Sequence, residues 1–400
     1  MAALNILRQI NRSAAALTAV ALGVVVMVLA SGFIDWNLRF GRENTIHSQL
    51  GHVQIMKAGF LEKGRSDPYA YILPADEASR KDVLAMPDVR ALAPRLLLSG
   101  LVSAGETTLS FIGEGVDPAA EADLSSGLRF AEGRNLAPGG AQEVVVGAGL
   151  AKNLDIHLGQ TLVLIVNTRS GGVGAVEARV VGIFESIAKA YDDMALRIPI
   201  QLARQLMRTD GEHLRLVLLS QTEGTDAVAA QLRERFPVQK YGVVPWFELA
   251  DFYNKTAELF KKQVGVIYFI ISVIIVLAIS NTMTMSVVQR VGEIGTVMAV
   301  GNRRRDVLAL FVSEGVVLGL CGTLVGLVLG CLLAWLLSAI GIPMPPGPGM
   351  TWGYVAGILV TPANLINAAL IAIATTVVAS IYPAFRASRM NIVDALRALQ

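Results

Sequence analysis

NTMTMSVVQRVGEIGTVMAVGNRRRDVLALFVSEG, residues Asn281 to Gly315, decides the fold, because it sets a short Arg-flanked segment between two long apolar spans. Val287, Val291, Ile294 and Met298 recur at spacings of four, three and four, which places them on one helical face with Arg290, Glu293 and Thr296 turned away. A bilayer crossing takes roughly 20 apolar residues, so this helix is too short to span one. It is too regular for a plain turn.

Outward from it, the chain is that of an integral membrane protein: 400 residues, 53% hydrophobic and 16% charged. Four runs meet the length criterion for a membrane helix: 14–33, 264–288, 307–340 and 365–385. The first follows Arg8 and Arg12 like a signal peptide, but it outruns a signal h-region of roughly 7 to 15 residues and reads as an uncleaved helix. The remaining segments follow: 1–13 and 386–400 as tails, 34–263 as a large domain with a stalk, 289–306 as the amphipathic loop, and 341–364 as a short outer loop.

Basic residues in the short flanks orient the chain. Arg8, Arg12, Arg290, Arg303, Arg304, Arg305, Arg386, Arg389 and Arg397 all fall on one side, the segment Gly341 to Ala363 has no charge, and Ile34 to Gln263 carries 25 basic against 28 acidic residues. Both termini and the amphipathic loop are therefore expected in the cytoplasm, and the large domain outside it. A net charge of +2 gives no reason to expect nucleic acid.

Between the first two spans the pattern is mixed α and β. Helices are predicted in ADEASRKDVLAM, QLARQLM and TDAVAAQLRERF, and strands in VRALAPRLLLSGLVSA, TTLSFIGEGV, TLVLIVNT, EARVVGIFE and MALRIPI. EVVVGAGLAKNL reads as a strand leading into a helix. Pro245 to Gln263 is helix-compatible and runs into the second span as a stalk. The fold class is thus four transmembrane helices plus a large α+β domain between the first and second.

Gly315, Gly319, Gly322, Gly326 and Gly330 line one stripe of the third span, a face on which helices can approach closely. Glu314 is the one carboxylate in an apolar span, near enough to the cytoplasmic end to be expected to pair with Arg303 to Arg305. Cys321 and Cys331 lie about 15 Å apart along a helix, too far to form a disulfide.

No Gly-Lys-Ser or Gly-Lys-Thr occurs, so the chain lacks a phosphate-cradling loop of the Walker type. His47, His52, His157 and His213 have no metal-ligand spacing, and no nucleophile elbow appears. Neither a catalytic residue nor a metal site is expected. His52, in the strand-like GHVQIMKAG, reads as a surface or satisfied histidine.

The segment R-x-x-E-I-G-x-x-x-A-x-G (Arg290, Glu293, Ile294, Gly295, Ala299, Gly301) followed by F-x-x-E-G (Phe311, Glu314, Gly315) resembles the FtsX-like permeases of the ABC superfamily, the branch of MacB and of LolC and LolE. GEGVDP, LRFAEGRNL, EVVVGAGLAKNLDIHLGQTL and VVGIFES resemble the periplasmic core domain of that family, and YPAFRASRMNIVDALR its usual ending. The resemblance implies a bacterial inner-membrane permease subunit. It implies a separate dimeric ATPase, holding ATP and Mg, docked at Arg290, Glu293, Ile294, Met298 and Gly301. A second permease subunit, either a copy or a paralogue, completes the dimer.

Mechanotransmission to the periplasmic domain, rather than an aqueous channel, is the implied mode of work. Layout is closest to LolC and LolE, which makes lipoprotein or another lipidic cargo the first expectation, with a periplasmic lipoprotein carrier as partner. Phe33, Trp36, Tyr268 and Phe269 then line the lipid site, against the plainer reading of interfacial anchors. The alternatives are MacB-like efflux of a peptide, toxin or antibiotic through a membrane-fusion partner and outer-membrane tunnel, and FtsX-like signalling to a cell-wall hydrolase.

Overall fold

The computed structural model describes residues 10–186, 188–346, 350 and 352–389, with side chains from residue 14 onward. Arg8, Arg397, the tail motif from Met390 and parts of the 341–364 loop lie outside the described residues, as does the side chain of Arg12. In chain order the elements are α1 (Ile10–Thr45) with a closing π-turn (Ile46–Leu50), β1 (Val53–Lys57), α2 (Glu77–Leu84), β2 (Val89–Ala104), β3 (Thr107–Val116), β4 (Arg129–Gly133) and β5 (Glu143–Gly147). There follow α3 (Ala148–Leu154), β6 (Thr161–Asn167), β7 (Val173–Glu185), β8 (Ala195–Pro199), α4 (Ile200–Met207), β9 (Leu214–Leu219), α5 (Thr225–Arg235) and β10 (Tyr241–Pro245). Last come α6 (Asp251–Gln289), α7 (Val291–Ala299), α8 (Arg304–Ile340) and α9 (Pro362–Ser388). The chain divides into two compact units, Met1–Arg39 with Thr256–Pro343 and Val355–Gln400, and Phe40–Lys255 with Met344–Tyr354.

The first unit is helical. Among the described residues, four helices are long and apolar enough to cross a membrane: α1, α6, α8 and α9. They close a ring. Gly23 of α1 faces Ile271 and Ile275 of α6, and Ser280 of α6 donates from Oγ to the Ala379 carbonyl of α9 at 3.0 Å. The glycine stripe of α8 supplies the other two contacts. A Cβ at Gly315 or Gly319 would meet Ser380 or Thr376 of α9, and one at Gly322, Gly326 or Gly330 would meet Val20, Val24 or Val28 of α1. At Gly326 it would lie 2.6 Å from the Ala21 carbonyl oxygen, so only glycine lets the backbones come this close. Thr376 and Thr284 are tolerated in this apolar setting because each bonds back to a carbonyl four residues earlier.

The second unit is built on a split βαβ lobe. β1, β2, β9 and β10 pair in the order β10-β1-β9-β2, all antiparallel, with α2 and α5 on one face. Val53, Ile55, Leu92, Val217 and Leu219 pack against Val83, Val228 and Leu232 of those helices. Between β2 and β9 the chain builds a second body. β2 pairs with β3, β3 with β8, β8 with β5, β5 with β7, β7 with β6, and β6 returns to β2, closing a six-stranded barrel. Leu98, Phe111, Val146, Leu164, Val180 and Leu196 fill it. The 16-residue strand β2 therefore serves both bodies, pairing with β9 over Val89–Arg95 and with β6 over Gly100–Ser103.

Candidate functional site

The amphipathic helix α7 keeps its apolar face inside the first unit. Val287, Ile294 and Met298 join Val307 and Phe311 of α8 and Ala384 and Ala387 of α9 in one buried cluster. Gly301, at φ +106°, ends the helix by bonding back to the Met298 carbonyl, a conformation that favours glycine. Two of the five residues expected to meet an ATPase, Ile294 and Met298, thus face the bundle rather than outward. What α7 turns outward is Glu293, Thr296, Val297 and Val300, the last 87% exposed.

Arg290 sits behind that surface. Its Nη1 donates to Glu314 Oε1 at 2.8 Å, its Nε to Glu293 Oε2 at 3.1 Å, and its guanidinium carbon lies 5.6 Å from the Phe311 ring centroid. This corrects the expected partners of Glu314. Arg303, Arg304 and Arg305 are exposed at the start of α8, whereas Arg290 is brought to the carboxylate by the turn between α6 and α7. The pair ties the loop to the buried side of α8, with the Arg290 side chain 15% exposed and that of Glu314 6%.

The four aromatic residues expected to line a lipid site do not form one lining. Tyr268 packs against the bundle core, its neighbour Phe269 is 69% exposed on another side of α6, and Trp36 and Phe33 are half-buried. The Trp36 indole lies beside Gly357 in the loop before α9.

Sequence reasoning missed a second charged site, in the α+β unit, where α1 ends. Gly51, at φ +63°, closes the π-turn by donating to the Ile46 carbonyl, packed against Leu216 and Val217. Two buried arginines grip the carbonyls just before it. Arg95 Nη1 donates to Gln49 O at 2.7 Å, and Arg197 Nη2 to Ser48 O at 2.7 Å. Glu121 accepts a bidentate pair from Arg95 at 2.6 and 2.9 Å, and Ser125 bridges Arg197 to Glu121. Glu114 Oε2 lies 3.3 Å from Arg95 Nη1 and 2.8 Å from Arg197 Nε, in ionic contact with both but off hydrogen-bond alignment with Arg197.

Burial alone would raise the Glu121 carboxyl, but the charge and hydrogen bonds of Arg95 outweigh it and hold the group below its ordinary range. The members come from β2, β3, β8 and the loop after β3, so no spacing along the chain announces them. The one sequence signal is an arginine set within an apolar run in each of two strands, Arg95 in ALAPRLLL and Arg197 in ALRIP.

His52, at the start of β1, is buried close by. Its Nδ1 accepts from the Leu219 backbone N–H at 3.1 Å, its Nε2 lies 3.0 Å from Thr222 Oγ1, and Thr222 Oγ1 in turn donates to Glu43. Burial, aided by the neighbouring His47, pushes its pKa down to about 4. Among the described residues no group of three or more metal-ligating side chains is assembled.

The family model for the MacB-like periplasmic core domain matches residues 13–235, and that for the FtsX-like permease C-terminal domain matches 265–392. An uncharacterized ABC transporter permease of Methanocaldococcus jannaschii is 28% identical over 289 residues, 68% of this chain and 66% of that protein. The macrolide export ATP-binding/permease protein MacB of Shigella boydii is 28% identical over 343 residues, 80% of this chain and 50% of its own length. The chain thus spans about half the length of the MacB proteins it matches. The crystal structure of the periplasmic region of MacB from Actinobacillus actinomycetemcomitans aligns with a TM-score of 0.38 at 13% identity, over 51% of this chain and 93% of that one.

Proposed function

We propose, for a chain that belongs to the MacB/FtsX-like family of ABC transporter permeases, that it is the permease subunit of an ATP-driven machine which pulls lipidic cargo, lipoprotein first among the candidates, from the membrane. ATP and Mg are held by a separate dimeric ATPase. It docks on Glu293, Thr296, Val297 and Val300, the face of α7 that the bundle leaves uncovered, and this uncovered face is the observation that carries the reading. The permease pairs with a second copy or a paralogue, keeps both termini on the ATPase side, and hands cargo to a carrier on the other.

Transport without an aqueous path is supported by the bundle interior. Among the described residues of the helical unit, Glu314 is the one buried charge, and Arg290 neutralises it at the end nearest α7. The polar side chains buried there, Ser31, Thr323, Asn364, Thr376, Ser380 and Ser388, are uncharged and stand among valine, isoleucine, alanine, leucine and methionine. Work done by the ATPase is then passed along the helices to the α+β unit, where the arginine grip on Ser48 and Gln49 holds the end of α1 to the sheet.

The complex purified with its ATPase should hydrolyse ATP faster when a triacylated lipoprotein is added, and indifference to every lipidated cargo would overturn the lipidic reading. A second reading, MacB-like efflux of a small molecule or peptide, is favoured by the likeness to MacB over 80% of the chain. It requires that a membrane-fusion partner and a tunnel protein co-purify.

A further inference from the structure

The α+β unit carries a cleft lined by three arginines. It has a volume of about 210 Å³ and opens where the split βαβ lobe meets the barrel, between α2 and α4. Leu92 and Pro94 of β2 and Ile200 make its apolar floor, with buried Arg215 beside them. Arg215 is fully engaged: its Nε pairs with Glu212, its Nη1 donates to Ser79 Oγ at 3.1 Å, and its Nη2 to the Pro74 carbonyl at 2.9 Å.

Two further guanidinium groups face the same cleft and are not engaged in this way. The Arg80 guanidinium makes no hydrogen bond among the described residues, and its Nη2 is 3.7 Å from Asp117 Oδ2. Arg204 spends Nε on the Gly211 carbonyl, while its Nη2 is 3.6 Å from Glu212 Oε2. Both separations exceed a hydrogen bond, so donors on two half-buried arginines remain unused.

Four carboxylates share the lining, and the second oxygens of Asp117 and Glu212 are the ion-pair partners of Arg80 and Arg204, so an entering oxyanion competes with them for these donors. Asp76 caps α2 through Ala78 N and Ser79 N, Asp117 Oδ1 caps its own turn through Ala119 N, and Glu212 Oε1 is held by Arg215. Glu77 stands exposed at the rim, and Gln201 adds an uncommitted amide.

Clefts between structural bodies that combine an apolar floor with a few converging polar groups are the usual form of small-ligand sites. Planar guanidinium forks with unused donors select carboxylate or phosphate. We infer that this cleft binds an oxyanion, the carboxylate or phosphate of a small molecule or of a peptide, held by Arg80 and Arg204 over Leu92 and Pro94.

Isothermal titration of the full chain in detergent, at low salt, with N-acetylglutamate and separately with inorganic phosphate, tests this. Saturable binding of at least one probe is expected, weakened about tenfold or more by Arg204→Gln and by Arg80→Gln. Asp117→Asn keeps the turn cap but removes the charge that competes for Arg80, so it should tighten binding several-fold, an effect that misfolding cannot imitate. Binding of the glutamate probe alone assigns a peptide-type carboxylate, and binding of phosphate alone a phosphoryl group. Absence of saturation by both probes, in the wild type and in Asp117→Asn, overturns the site, as does binding that the arginine variants leave unchanged.

Discussion

Two of the places where the protein buries ionised side chains differ in what happens if a partner is lost. In the helical unit one pair, Arg290 and Glu314, sits at the end of the bundle, and Arg290 also reaches exposed Glu293. In the α+β unit Arg95, Arg197, Glu114 and Glu121 are interlocked away from water, with two backbone carbonyls as further acceptors. The Arg290–Glu314 pair, with Arg290 partly exposed at the end of the bundle, can be rehydrated when it opens. A dry network cannot, because each member lost strands another charge. The first can open at small cost, and the second is a permanent fastening.

The sharpest way to break this contrast is Arg95→Met, which leaves Glu121 without its bidentate partner and Glu114 with Arg197 alone. A loss of about 3–5 kcal/mol from the α+β unit is expected, read by hydrogen exchange in β2, β3 and β8 of the full chain. Protection equal to that of the wild type would show the network to be as dispensable as a surface pair. The corresponding change in the bundle, Glu314→Gln, should cost less, about 1–2 kcal/mol in thermal unfolding, since Arg290 keeps Glu293 and access to water. Equal losses in the two variants would erase the distinction.

A pH titration sharpens it further. His52 is neutral in the folded state down to about 4, whereas an unfolded histidine takes up its proton near 6.5. Stability of the α+β unit should therefore fall as pH drops from 6.5 towards 4, by at most about 1.4 kcal/mol per pH unit, and level off below. His52→Gln should flatten that slope between pH 6.5 and 4.5, and an unchanged slope would assign it to other groups. The smallest effect on stability, within about 0.5 kcal/mol, is expected for Glu293→Lys, whose side chain is exposed. That variant should nonetheless lose ATPase association in pull-down from membranes, and normal association would remove α7 as the docking element.

How much could be read in advance follows the same divide. The four long helices, the glycine stripe and α7 are periodic features of contiguous sequence, and β2, β3, β6 and β8 were visible as apolar runs bounded by turn residues. β9 was not, because LRLVLL is covered on both faces, by Val83 and Leu232 on one side and by Ile46 and Trp246 on the other, and so lacks alternation. The fourfold charge network was also hidden, since its members are up to about a hundred residues apart and only the barrel's closure brings them together. At α7 the periodicity located the apolar face, and the structure buries Ile294 and Met298 of that face in the bundle while Glu293, Thr296 and Val297 face outward.

The ladder between β2 and β9 pairs Arg95 with Leu214, so the chain leaves the split βαβ lobe and re-joins it at adjacent points, about 5 Å apart. The barrel is thereby an insertion with nearly coincident ends, a cassette. Such a segment can be exchanged between relatives, lengthened or redesigned without moving the strands that receive it, provided the two arginines it shares with its host are kept. A chimera carrying a relative's residues between those two points is then a direct test of whether the lobe folds and pairs β2 with β9 independently of what the cassette contains.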